Sequence, residues 1–180
     1  MKSLFNELFK VARSRGIDYL FLVPEEDYLF NIYKSLGFEV GFSYSQEIAS
    51  KSTFNKSGSA QVLTYEYYRA AIEKYSNGLP VAALKQSTFN SFFNSVSGQV
   101  KAVAVGGGYA LFEDTPEALT VFELFGDREL LLSAVFNSTQ KKEAVLRGFA
   151  DADSIPYGMY YKINQVPEIQ NGFFGIPYSN

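Results

Sequence analysis

The run Tyr19-Leu20-Phe21-Leu22-Val23, closed by Pro24, constrains this chain more than any other stretch. A continuous apolar run of this length is too short to cross a bilayer, and it suits a strand buried on both faces, which exists only where helices cover a sheet. Its flanks agree. Upstream, Leu4, Phe5, Leu8, Phe9, Val11 and Ala12 recur at helical spacing from Ser3 to Arg15, and Gly16 stands where a left-handed C-terminal cap belongs. Downstream, Glu25-Glu26-Asp27 places negative charge where a helix N-terminus favours it. Leu29, Ile32, Tyr33 and Leu36 keep the helical period up to Gly37. Phe38, Val40, Phe42 and Tyr44 then alternate with polar or small residues, as in a half-buried strand. Helix, strand, helix, strand predicts an α/β fold around a mixed sheet.

Past Tyr44 the pattern changes, and the polar, turn-rich residues 48–59 read as a connection between two units. Beyond it the spacing predicts a helix over Tyr65 to Tyr75 and a second, capped by Ser87, running to Val96. Strands are expected at Gln99 to Val105, Tyr109 to Glu113 and Leu119 to Phe125. The turns between them, Gly106-Gly107-Gly108 and Asp114-Thr115-Pro116, are short enough to make the three antiparallel. Asp127 opens a helix through Leu130, Leu131, Ala134 and Val135, followed by strands at Ala144 to Ala150, Gly158 to Ile163 and Phe173 to Ile176. The expected division is therefore 1–47, a linker at 48–59, and 60–180.

Composition narrows the chemistry. With neither Cys nor His in the sequence, thiol nucleophiles, disulfides, Ser-His-Asp triads and the usual zinc sites are excluded. Catalysis would fall to Tyr, Asp, Glu, Lys, Ser, Thr or backbone groups. A net charge of −3 offers no general attraction to nucleic acid, and no apolar run reaches membrane-spanning length. The start of the chain lacks a signal peptide's apolar core, so a cytoplasmic protein is expected, with neither nucleic acid nor membrane as a partner. Asp151-Ala152-Asp153 lacks the later ligands and glycine of a calcium loop and reads as a turn. Phe89, Phe92 and Phe93, close together on one predicted helix, suit a core or a partner surface.

Residues Arg15 to Pro24, followed by Phe30-Asn31-Ile32-Tyr33-Lys34-Ser35-Leu36-Gly37-Phe38-Glu39, resemble the last motifs of a GNAT-superfamily N-acetyltransferase. In that family a buried strand precedes a helix bearing Tyr-x-x-x-Gly-Phe, matched here by Tyr33, Gly37 and Phe38. The resemblance implies a GNAT-like acyltransferase fold and transfer of an acetyl group from acetyl-CoA to an amine, the acceptor being a small molecule or a peptide. It makes Tyr33 the catalytic tyrosine, protonating the departing CoA thiolate. Where family members often carry Asn shortly before this tyrosine, the chain has Glu26.

The family's Gln/Arg-x-x-Gly-x-Gly/Ala loop, which cradles the CoA pyrophosphate at a helix N-terminus, is expected to lie outside this chain, because Met1 stands almost directly before the helix it would open. The order of elements after residue 60 is similar to a second, degenerate GNAT-like unit, whose loop position would be Phe125-Gly126-Asp127-Arg128. That segment is short, and Asp127 would set a negative charge beside a pyrophosphate. The chain as a whole thus resembles the C-terminal part of tandem-GNAT proteins. The expectation is a chain inactive alone, no residue being assigned to cofactor binding. The alternative is a non-catalytic module that binds a partner or forms a homo-oligomer through a sheet edge. Glu113, Asp114 and Glu123 are strand carboxylates of the kind that serve as general base toward an amine.

Overall fold

A computed structural model describes residues 2–95, 100–151 and 153–173. Helix α1 (Lys2–Ser14) leads through Gly16, at φ 65°, into strand β1 (Tyr19–Leu22), and helix α2 (Asp27–Ser35) follows with Glu26 as its N-cap. Strand β2 (Glu39–Ser50), helices α3 (Tyr65–Tyr75) and α4 (Gln86–Ser95), and strands β3 (Val100–Val105), β4 (Gly108–Asp114) and β5 (Leu119–Phe125) come next. Helix α5 (Arg128–Asn137) and strands β6 (Glu143–Phe149) and β7 (Ile155–Lys162) complete the order.

All seven strands form one sheet, in the order β1-β7-β2-β6-β5-β4-β3. The hairpin between β3 and β4 turns on Gly106 and Gly107, both at positive φ, the backbone that a two-residue turn matching strand twist demands. Every pairing is antiparallel except β5 with β6, which α5 connects as a crossover. Helices α3 and α4 pack on one face, around Tyr68, Ile72, Phe89, Tyr109 and Leu111. Helix α5 packs on the other, around Leu131, Leu132, Val135 and Phe136 against Ala110, Phe112 and Val121.

Part of the segment expected as a connection, 48–59, is regular structure. Residues 48–50 are the end of β2, which pairs with β6 from Tyr44↔Phe149 to Ser50↔Glu143, and a 3-10 turn follows at Lys51–Thr53. The local sequence is polar, yet Ala49 is small enough to enter the α5 core while Ile48 points to solvent, so pairing with β6 overrides weak local propensity. Strands on both sides of that segment alternate across the sheet. Helix α4 also starts one residue before the expected cap at Ser87. Of the last expected strand, Phe173 makes a parallel bridge to Val81, and residues 174–176 lie outside the described residues.

Candidate functional site

Strands β5 and β6 pair only at Thr120↔Val145 and Val121↔Leu146, and beyond these no pairing joins them. At this point β5 carries a bulge: Leu111 of β4 faces Glu123 and Phe112 faces Val121, leaving Phe122 as the extra residue. Strict alternation would keep Glu123 on the α5 face with Leu119 and Val121. The bulge turns it to the α3 face, opposite Leu111 and near Tyr109.

Glu123 is 1% exposed and accepts a 2.7 Å hydrogen bond from the Tyr109 hydroxyl. The rings of Tyr109 and Tyr68 lie 5.2 Å apart, and the Tyr68 oxygen accepts a 3.0 Å bond from the Leu84 amide. Burial, then the Glu123 charge and the hydrogen bonds to Glu123 and Tyr68, holds the Tyr109 hydroxyl well above its ordinary pKa. Tyr68 is raised in the same direction, again chiefly by burial. The result is a buried chain of polar groups from β5 through β4 to α3 and the 80–84 loop. A phenol that donates to a carboxylate stabilises its charge.

The opening between the diverging strands is filled. Phe125 of β5 meets Phe149 of β6 edge-on at 5.6 Å, and Phe173 lies 5.9 Å from the first ring and 5.0 Å from the second. Phe173 is fixed by its own backbone, donating to the Pro80 carbonyl and accepting from the Ala82 amide.

Two residues, Gly126 and Asp127, connect β5 to α5. A Cβ on Gly126 would stand 2.8 Å from the Gly108 Cα, so the backbones meet too closely for any side chain. Asp127 is the N-cap of α5, accepting from the Leu130 amide at 3.0 Å. That hydrogen bond, and then Lys56, lowers its pKa. Lys56 reaches both Asp127, at 3.1 Å, and Glu129, at 2.8 Å, while Arg128 pairs with Glu47. The positive end of the helix dipole is thus met by the chain's own carboxylates.

The sequence-expected residues are dispersed. Tyr33 lies half-buried on α2, its ring edge-on to Phe38 at 5.9 Å and to Phe5 at 6.2 Å, outside the two main core clusters. Glu113 and Asp114 end β4 on the side away from Tyr109, with Asp114 held by Lys101 at 3.2 Å. Asp151 accepts from the Asp153 amide, as an Asx turn does. Phe89 is buried against Tyr65 and Tyr68, and the side chain of Phe92 lies outside the described residues. Tyr109 and Tyr68 carried no sequence signal beyond being aromatic in apolar segments, because their role depends on the bulge at Phe122.

No family model matches the sequence, and no curated protein does either. Solved structures do match in fold. A GCN5-related N-acetyltransferase from Kribbella flavida superposes with a TM-score of 0.62 at 14% identity, over 89% of this chain and 47% of its own. A probable N-acyltransferase of Enterococcus faecalis gives 0.65 at 10% identity, over 89% and 49%. A GCN5-related N-acetyltransferase from Anabaena variabilis gives 0.60 at 11%, over 91% and 50%. The chain has the acyltransferase fold of these proteins and spans about half of their length. At the first turn of α5 the Asp127 carboxylate occupies the Leu130 amide, and Asp127 and Glu129 are both paired with Lys56. No helix among the described residues is long and apolar enough to cross a membrane.

Proposed function

We propose that this chain is part of a cytoplasmic GCN5-related N-acetyltransferase, serving as a unit that does not itself hold acetyl-CoA. The self-capped N-terminus of α5 carries the second half of that reading. Anions bind helix N-termini through free amides and a positive dipole end, and here the Asp127 carboxylate takes the Leu130 amide while Glu129 adds a further charge. The family half rests on the shared fold with proteins described as acetyltransferases, about twice as long, and on the Tyr33, Gly37 and Phe38 match. Tyr33 is the proposed acid toward the leaving group, in a site completed by the rest of the enzyme, and the acceptor is a small-molecule or peptide amine.

Isothermal titration of this chain with acetyl-CoA tests the reading: no binding heat is expected, and micromolar affinity overturns it. In the active enzyme, Tyr33→Phe should lower kcat by about 10²-fold or more, the usual contribution of a positioned acid. An unchanged kcat removes Tyr33 from the chemistry.

A second reading, a non-catalytic module that associates through the β1 end of the sheet, draws on one specific observation. On α1 the side chains of Leu4, Leu8 and Val11 are 72%, 43% and 44% exposed, next to the edge strand β1. Sedimentation equilibrium distinguishes the two: a monomer at tens of micromolar argues against self-association.

A further inference from the structure

We propose that the pocket under the β1 edge binds a small organic cation with an apolar body. It shares the 80–84 loop with the Glu123 network, none of whose polar side chains lines it, and does not depend on the acetyltransferase reading. The pocket, of about 380 Å³, is lined by Tyr19 and Phe21 of β1, Phe42 of β2, Val81, and Pro167 and Glu168 of the segment after β7. This volume is that of a small-ligand site.

Its walls are aromatic and fixed. The Phe21 and Phe42 rings stand 6.0 Å apart at 48°, two faces of an open V. The Tyr19 hydroxyl donates a 2.7 Å hydrogen bond to the Pro167 carbonyl, and the Tyr19 ring is edge-on to Tyr160, so the third wall is tied to the loop that carries Glu168. Phe21 remains 41% exposed, a large ring on an edge strand turned toward a cavity instead of the core.

Among the described residues, the one charged residue in the pocket lining is a carboxylate. It belongs to Glu168, while Glu39 accepts a 3.0 Å bond from the Tyr160 hydroxyl behind Tyr19. The Lys162 ammonium reaches Glu168 at 3.4 Å. Glu168 therefore sets one carboxylate beside the aromatic rings, partly offset by Lys162. Ring faces attract cations through their quadrupole, and a nearby carboxylate adds to that attraction. An anionic ligand would meet repulsion, and a neutral apolar ligand would forgo the electrostatic gain.

The test is a titration of the chain with benzyltrimethylammonium and with its uncharged isostere neopentylbenzene, followed by backbone amide shifts in nuclear magnetic resonance. The cation should shift residues 19–21, 80–82 and 167–169, and bind roughly 3- to 30-fold more tightly than the isostere, the range that cation–π attraction supplies. Phe21→Ala should weaken cation binding about 10-fold and leave the isostere's affinity changed less. Glu168→Gln, on an exposed loop, should weaken the cation alone, by roughly 3-fold, and stands as the test if the first variant loses its circular dichroism. Equal binding of cation and isostere, no shifts in these segments, or full affinity in both variants overturns the proposal.

Discussion

Around β4 and β5 both faces of the sheet are covered, by α3 on one side and α5 on the other, and Tyr109, Ala110, Leu111 and Phe112 are successively buried. At the β1 end the same architecture is thinly covered: α2 has no buried residue, and α1 turns Phe5 and Phe9 inward while Leu4, Leu8 and Val11 face solvent. In the first region apolar residues have been spent on closing the sheet. In the second, apolar surface and a strand edge are left over, which is where a partner or a ligand gains most from binding.

The sharpest contrast is between a ring in the strand opening and a ring at the edge. Phe125→Ala removes the side chain that meets Tyr109, Phe149 and Phe173, and should cost about 3–5 kcal/mol in urea unfolding, the usual range for a buried Phe. The comparable Phe21→Ala at the edge should cost far less. Equal losses would mean that the β1 end is as tightly built as the centre.

Next in size is Tyr109→Phe. It deletes the hydroxyl that donates to buried Glu123 and should cost about 1–3 kcal/mol, because the carboxylate loses a donor that water cannot replace. A neutral result would show that the remaining contacts of Glu123 suffice.

The same network predicts the response to base. Tyr109 and Tyr68 have folded-state pKa values raised above the ordinary tyrosine value, first by burial. A raised folded value gives stability that is complete below pH of about 10, where unfolded tyrosines begin to ionise, and is lost as pH climbs toward the folded values. Urea midpoints should therefore fall above that pH and show no pH dependence from these groups near neutrality. Tyrosinate absorbance should rise in two stages, the buried rings ionising only on unfolding. Tyr160, pushed up to about 12 by burial and its bond to Glu39, should ionise between the two stages.

Much of this fold was legible because local period and tertiary role agree. The run at Tyr19, the alternation after Phe38, the helix after Asp127 and the hairpin at Gly106 and Gly107 all lie where spacing places them. The remainder depends on pairing between distant strands. The end of β2 is held by β6, not by its own sequence, and the join between β1 and β7 links residues about 140 positions apart. The candidate site was harder still. Glu123 is a recognisable strand carboxylate, but a one-residue bulge decides which face it takes, and no periodicity announces an interruption of itself. The helix N-terminus was the exception, since Asp127 is both the natural cap and the group that repels a phosphate.

The smallest expected effect bears most directly on the β1 end. Leu8→Ser on α1 replaces a side chain 43% exposed, on the solvent-facing flank of the face that carries Phe5 and Phe9, and should change the stability of the monomer by no more than about 0.5 kcal/mol. Its value lies in separating two accounts of the leftover apolar strip. If Leu4, Leu8 and Val11 contact a second copy or a partner, the substitution leaves the urea midpoint of the dilute chain alone and weakens association at high concentration. If the strip instead packs within the chain in solution, the midpoint falls and the unfolding free energy drops by more than about 1 kcal/mol, as for other buried leucines. The two measurements move independently, so a single variant decides whether the thinly covered end is an interface or only a looser part of the core.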